Sequence, residues 1–279
     1  MTDHFTAKSI DSPRVISEML LAHVLECERM RLYMDADRSA SVTELATLRA
    51  LVGRAAKHEP VQYLVGHGWF FGREFAVDRS TLIPRPCTET LVEHVLQWLR
   101  LHPGHAAPLI ADIGTGTGCI GISLTAQITD ARVVATDVVP EALELAKSNA
   151  QKHKIADRME FCLAAANDLS LAAPAQRFDV ICSNPPYIPD HEWDAVPANV
   201  KEYEPASALR GGPDGLDIIR PLIAQASGML KPGGLLAVEI ADCQRDAVIE
   251  LAKSTSMFQN IDVLKDHENL WRVLVAVRN

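Results

Sequence analysis

No apolar run in this 279-residue chain is long enough to span a bilayer. Its opening, Met1 to Lys8, lacks the basic-then-apolar pattern of a secretory signal. The six cysteines, at 27, 87, 119, 162, 182 and 243, form no Cys-x-x-Cys pair, and several lie inside apolar segments. That argues against a disulfide framework and predicts reduced, buried thiols in a cytoplasmic protein. There is no low-complexity tract and no internal repeat. No run of Lys or Arg breaks a chain whose formal net charge is −9. Duplex nucleic acid is held through many Lys/Arg–phosphate contacts, so no direct nucleic-acid partner is expected. The ten histidines suggest no metal set. His102-x-x-His105 sits in a Pro/Gly loop and is expected in solvent rather than on zinc.

At this length the chain can bury one large core, or one domain and a smaller one. Two segments in the first sixty residues read as amphipathic helices. Ser12-Pro13 looks like an N-cap with proline at the first helical position, and Val15, Ile16, Met19, Leu20, Val24 and Leu25 recur at helical spacing. Ser41 and Glu44 form a capping-box pattern, with Leu45, Leu48, Leu51 and Val52 as the inner face. We read residues 1–59 as a helical unit, 60–84 as a connector with a hairpin near Trp69 to Val77, and 85–279 as the main domain. Trp69 and Phe70 are expected to pack between the two.

From Leu109 onward strands and helices alternate. Strands are predicted at 109–113, 132–136, 159–163, 178–182, 235–240, 261–264 and 271–277. Helices are predicted at 118–128, 140–151, 216–230 and 243–254, with Lys231-Pro232-Gly233-Gly234 as the stop of the third. This is a doubly wound α/β pattern with a two-strand ending.

Three clusters fall at the carboxyl ends of successive strands, where open α/β sheets bind ligands. Asp112, Gly114, Thr115, Gly116, Thr117 and Gly118 form a glycine-rich strand-to-helix turn. Gly116-x-Gly118-x-x-Gly121 also matches a dinucleotide fingerprint. Asp112 argues against that reading, since it would repel a pyrophosphate yet suits the cationic amino group of a methionine moiety. Asp137 ends the second strand, in the place that binds ribose hydroxyls, or else charges a helix start. Asn167, Asp168 and Leu169 follow the third and suit an adenine ring, or an ordinary Asx turn.

The fourth strand ends in Asn184-Pro185-Pro186-Tyr187. Asn184 offers a side-chain carbonyl and Pro185 a backbone carbonyl, while Tyr187 adds a flat face. Two acceptors and a platform suit a planar –NH2 group whose two hydrogens are held while its nitrogen reacts. This is the signature of S-adenosylmethionine-dependent amino methyltransferases acting on adenine, cytosine or glutamine amides. The tetrapeptide does not choose among them.

Further motifs do. Pro60-x-x-Tyr63-Leu64-x-Gly66, Leu82 to Pro86 with Thr88-Glu89, and Glu204-Pro205 through Asp214-Gly215-Leu216 resemble the HemK/PrmC family of protein-(glutamine-N5) methyltransferases. The resemblance covers residues 59–278 by motif and the N-terminus by layout. It implies a Rossmann-like class I methyltransferase with a seven-stranded mixed sheet behind a small helical bundle. It further implies S-adenosylmethionine as cofactor and a peptide chain release factor as substrate. The cofactor would lie on Asp112, Gly114–Gly118, Asp137, Asp168, Leu169 and Asn184. The glutamine would lie on Asn184, Pro185, Pro186, Tyr187 and Arg85. Cys87, Ala241 and Asn269 depart from the family pattern. The competing classes are a nucleic-acid N6-adenine methyltransferase and a non-catalytic module that kept the cofactor fold. A monomer is expected.

Overall fold

A computed structural model describes residues 1–34, 37–166 and 177–279. The helix Pro13–Val24 starts on a proline, whose missing N–H costs nothing in a first turn. Ser12 stands at its N-cap, but its backbone is left-handed and its side chain makes no capping bond. The second cap forms as read: Glu44 N–H donates to Ser41 Oγ at 3.2 Å, and Ser41 N–H to Glu44 Oε2 at 2.7 Å. Leu51 and Ala55 of the helix Val42–Ala55 face Phe5 and Leu20 in a small separate core. Val15 and Leu45, expected on the inner faces, are exposed. Both lie in the first turn of their helices, beyond the reach of so small a core. That core also takes in Val61, Leu64 and Val65 of a short helix, so the helical unit continues past residue 59.

Strands β1 (His67–Phe70) and β2 (Arg73–Ala76) form the hairpin. Phe71 and Gly72 both have positive φ, the two-residue turn that matches strand twist. A left-handed Phe71 is strained, and Glu89 Oε1 offsets the cost by accepting its N–H at 2.7 Å. Phe70 is buried, but Trp69, expected to be buried beside it, is 63% exposed, because alternate strand residues point to opposite faces. The connector is tied at both ends. Glu59, itself buried, accepts from Arg54 at 2.6 and 2.7 Å and from Arg79 at 2.7 Å. Arg79 lies over the Tyr203 ring, whose hydroxyl donates to Lys57 O at 2.8 Å.

The main sheet contains β3 (Leu109–Ile113), β4 (Arg132–Asp137), β5 (Met159–Leu163), β6 (Phe178–Ser183), β7 (Leu230–Glu239), β8 (Phe258–Lys265) and β9 (Trp271–Arg278). Its seven strands run in the order β5-β4-β3-β6-β7-β9-β8, with β9 antiparallel to both neighbours and the remaining pairs parallel. The helices Pro86–Leu101 and Cys119–Gln127 cover one face, and Ile219–Met229 and Arg245–Ser254 the other. Every residue of β6 is buried, as a strand covered on both faces requires. Strand order reverses between β3 and β6. The two turns leaving those strands therefore open into one crevice.

Two boundaries differ from the sequence reading. The third helix begins at Ile219, not Leu216, because Pro221 is tolerated only within a first turn. Lys231 to Gly234 does not merely stop that helix but opens β7, with Gly233 at φ 78° and the register shifting opposite Phe178–Val180. His105, expected in solvent, places Nδ1 2.6 Å from Asp179 Oδ1, while His102 stacks on Trp98.

Candidate active site

A cavity of about 280 Å³ occupies the crevice at the strand reversal. The turn after β3 forms its floor. Gly114, Gly116 and Gly118 all have positive φ, so the chain doubles back without side chains in the way. A Cβ on Gly116 would project toward Thr81 on the cavity wall, into space that the bare backbone leaves to a ligand. Asp137, at the tip of β4, accepts from Gly116 N at 2.9 Å and from Val139 N at 3.0 Å. It thus braces the turn and the next helix, and its carboxylate has lone pairs left for hydroxyl donors in the cavity.

Asp112 does not line the cavity. It is fully buried behind the turn, where Oδ2 accepts from Thr115 Oγ1 at 2.7 Å and Gly121 N at 2.9 Å, while Oδ1 has no partner. Burial pushes this carboxyl up to about 6, although the bonds from Thr115 and Gly121 pull it back. Between pH 4 and 6 the folded protein therefore holds a proton that the unfolded chain has released. Wild-type stability from this group falls as the pH rises through that window, by about 3 kcal/mol once the carboxyl is charged. The stability difference between wild type and Asp112→Asn should thus move by about that amount in the variant's favour between pH 4 and pH 7. Urea midpoints at the two pH values check this, and a pH-independent difference would refute it.

The turn after β6 forms the opposite wall, with Asn184, Pro185 and Pro186 on the cavity. Ser183 Oγ donates to Ile113 O at 2.7 Å and locks the two strand tips together. Asn184 Nδ2 donates to Thr88 Oγ1 at 3.0 Å, so one end of its amide is taken and Oδ1 is the other. Tyr187 is displaced from its expected platform position. Its ring packs against the core under the turn, and its hydroxyl donates to Glu239 Oε1 at 3.1 Å. Burial, and then Glu239, push the phenol well above its ordinary range, so it stays a neutral donor. Arg85 reaches the cavity but forms an ion pair with Glu204, which also accepts from Ile83 N at 3.0 Å. This pair draws the connector against the loop that follows the turn.

Of the residues singled out from sequence, Gly114 to Thr117, Asp137, Arg85, Asn184, Pro185 and Pro186 meet on one cavity. Asp112, Gly118 and Tyr187 stand behind it, and Asn167, Asp168 and Leu169 lie outside the described residues. Sequence reasoning gave no role to Thr88, Asn149, Glu239 or Gln244. Asn149 ties the hairpin to the glycine turn, accepting from Ala76 N at 2.8 Å and donating to Thr117 O at 2.9 Å. Gln244 Nε2 donates to Tyr187 O at 2.9 Å. Glu239 carried a usable signal, a lone acid at the tip of an apolar strand.

The three departures are accommodated. Ala241 is extended (φ −74°, ψ 147°) and needs no glycine. Asn269 has φ 66°, which asparagine tolerates. Cys87 Sγ lies 3.9 Å from Glu239 Oε1, and burial pushes this thiol up to about 11, so it faces the carboxylate uncharged.

Residues 1–66 match the PrmC N-terminal domain and residues 108–274 a methyltransferase domain. A release factor glutamine methyltransferase from Chlorobaculum tepidum is 39% identical over 97% of this chain and 92% of its own length. One from Koribacter versatilis is 38% identical over 98% and 94%. Among solved structures, a methyltransferase from Pyrococcus furiosus matches with a TM-score of 0.53 and 19% identity, over 75% of this chain and 90% of its own. The last likeness speaks to the fold alone.

Proposed function

The chain belongs to the release factor glutamine methyltransferase family, and we propose that its Asn184–Tyr187 turn holds the target side chain. The enzyme transfers a methyl group from S-adenosylmethionine to the side-chain nitrogen of a release factor glutamine. The glutamine is taken to be that of the Gly-Gly-Gln loop. Support comes from one observation above the others: glycine turn, ribose-facing acid and amide-holding turn share one cavity at the strand reversal.

An amide nitrogen is a poor nucleophile because its lone pair is delocalised into the carbonyl. Asn184 Oδ1 and the Pro185 carbonyl would each accept one amide hydrogen and fix the nitrogen with a face toward the donor. The same two acceptors stabilise positive charge growing on nitrogen as the bond forms. Gly114 to Thr117 and Asp137 would hold the cofactor, which supplies an electrophilic methyl on a sulfonium. Tyr187 anchors the turn from beneath. The Asn-Pro-Pro-Tyr motif itself holds no dedicated general base, so the proton leaves to water after transfer.

Residues 1–65 are read as a docking unit for the release factor and 85–279 as the catalytic domain. The net charge of −9 favours a protein over a nucleic acid as partner. We read the chain as a cytoplasmic monomer. Among the described residues no helix is long and apolar enough to cross a membrane. The test offers a labelled methyl donor together with a release factor and duplex DNA. Label should appear on the release factor glutamine. Label on the DNA, or on neither, would overturn the assignment.

A further inference from the structure

One wall of the cavity is a stretch of chain that belongs to no helix or strand. Ser80, Thr81, Leu82, Pro84 and Arg85 contribute to it, between the end of β2 and the helix Pro86–Leu101. The stretch crosses the glycine turn at side-chain distance, since a Cβ on Gly116 would lie 3.9 Å from Thr81 Cβ. Among the described residues, Thr81 to Pro84 make no backbone–backbone hydrogen bond to another segment; Thr81 N–H reaches only Asp78 O, at 3.3 Å. Chain without a ladder opens at low cost unless side chains hold it.

Two side chains from different parts of the fold do so. Tyr63, in the short helix Val61–Val65 of the helical unit, donates its hydroxyl to Thr81 O at 2.6 Å. Glu204, buried in the loop after the Asn184 turn, accepts from Ile83 N at 3.0 Å and pairs with Arg85. Neither Tyr63 nor Glu204 lines the cavity. The Tyr63 and Ile83 bonds both fall on main-chain atoms, so they fix the path of the stretch rather than one of its side chains.

We propose that Tyr63 and Glu204 are positioning residues for the methyl donor: together they clamp residues 80–85 across the glycine turn. The inference rests on the reading that Gly114 to Thr117 and Asp137 hold that donor. A site closed about a tenth of the time binds about tenfold more weakly. It also frees its ligand sooner, while donor already held behind a closed wall reacts at the ordinary rate.

The experiment uses the full chain, S-adenosylmethionine and a release factor. Tyr63→Phe keeps the ring and removes only the hydroxyl. It should raise donor Kd in calorimetry about tenfold, the scale of one hydrogen bond, and speed donor departure in stopped flow by a similar factor. Its single-turnover rate at saturating donor should stay within about threefold of wild type. Glu204→Ala should weaken donor binding in the same way. Glu204→Gln keeps an oxygen for the Ile83 N–H and should hold donor Kd within about threefold of wild type. Both substitutions at 204 discharge the Arg85 pair, so the difference between them reports the Ile83 bond. An unchanged donor Kd in Tyr63→Phe would overturn the clamp, and a lowered melting temperature beside it would mark a role in folding alone. Glu204→Gln binding as weakly as Glu204→Ala would overturn it too. Asp137→Ala should raise donor Kd by about 10²-fold. Near-normal binding there would bring down the reading of the donor site, and the clamp with it.

Discussion

Asn184→Ala should bind S-adenosylmethionine as wild type does and lose on the order of 10²–10³ in single-turnover rate, the usual cost of one preorganised acceptor. The loss is expected in the chemical step for a structural reason. The cavity floor that would hold the cofactor, Gly114 to Thr117 with Asp137, is built on β3 and β4 and keeps its hydrogen bonds without the Asn184 side chain. The turn itself is also secured elsewhere, by Ser183 on Ile113 and Tyr187 on Glu239. Truncation at Cβ therefore removes an acceptor and little else. Donor affinity from calorimetry and rate from rapid-quench labelling separate the two effects. Full turnover in the variant, or donor binding lost together with rate, would contradict the role.

The second large effect is at Gly215, which no catalytic argument singles out. This residue has φ 77°, and a methyl on it would lie well inside 3.0 Å of both the Tyr187 carbonyl oxygen and Gln244 Nε2. Those two atoms are hydrogen-bonded to each other at 2.9 Å. The methyl would thus enter the bond that secures the end of the Asn184–Tyr187 turn. Neither atom can retreat freely. Ile188 N–H is bonded to Leu209 O at 2.9 Å, and Gln244 Oε1 accepts from Ala241 N at 3.0 Å. Gly215→Ala should therefore cost roughly 3 kcal/mol or more of stability, in the range of strain at a special backbone position. Activity should fall with it. Gly104→Ala, at a position with open space and no positive φ, should be near neutral. Thermal denaturation of both variants decides the matter, and equal midpoints would refute the argument.

The fold was legible where periodicity and burial agree. The Phe178–Cys182 run, apolar but for Asp179, read as an inner strand, and the glycine turn after Leu109–Ile113 fixed the strand-to-helix change. Boundaries failed where a proline or glycine was read too simply. Pro221 delayed a helix, and Pro232-Gly233 became an irregularity inside a strand. For the site, motif residues were found because they face the ligand space and their chemistry is written in residue type. Their supports were not, since Thr88 and Glu239 are distant in the chain from the turn and meet Asn184 and Tyr187 only through folding. Tyr187 and Asp112 show the same limit. Sequence placed them at the cavity, but packing turned both inward.

The buried Glu59 bridge to Arg54 and Arg79, with Tyr203 laid over Arg79, has a consequence for recognition. Swinging the helical unit away would cost Glu59 its bond from Arg79 and Lys57 O its bond from Tyr203, so the unit is tied to the loop after the Asn184 turn. The span from those helices to the Asn184 tip is then a ruler of set length. On the proposed docking of the release factor to those helices, a partner must be the right size to deliver its side chain to the far end, and a short peptide with the same glutamine would be a poor substrate.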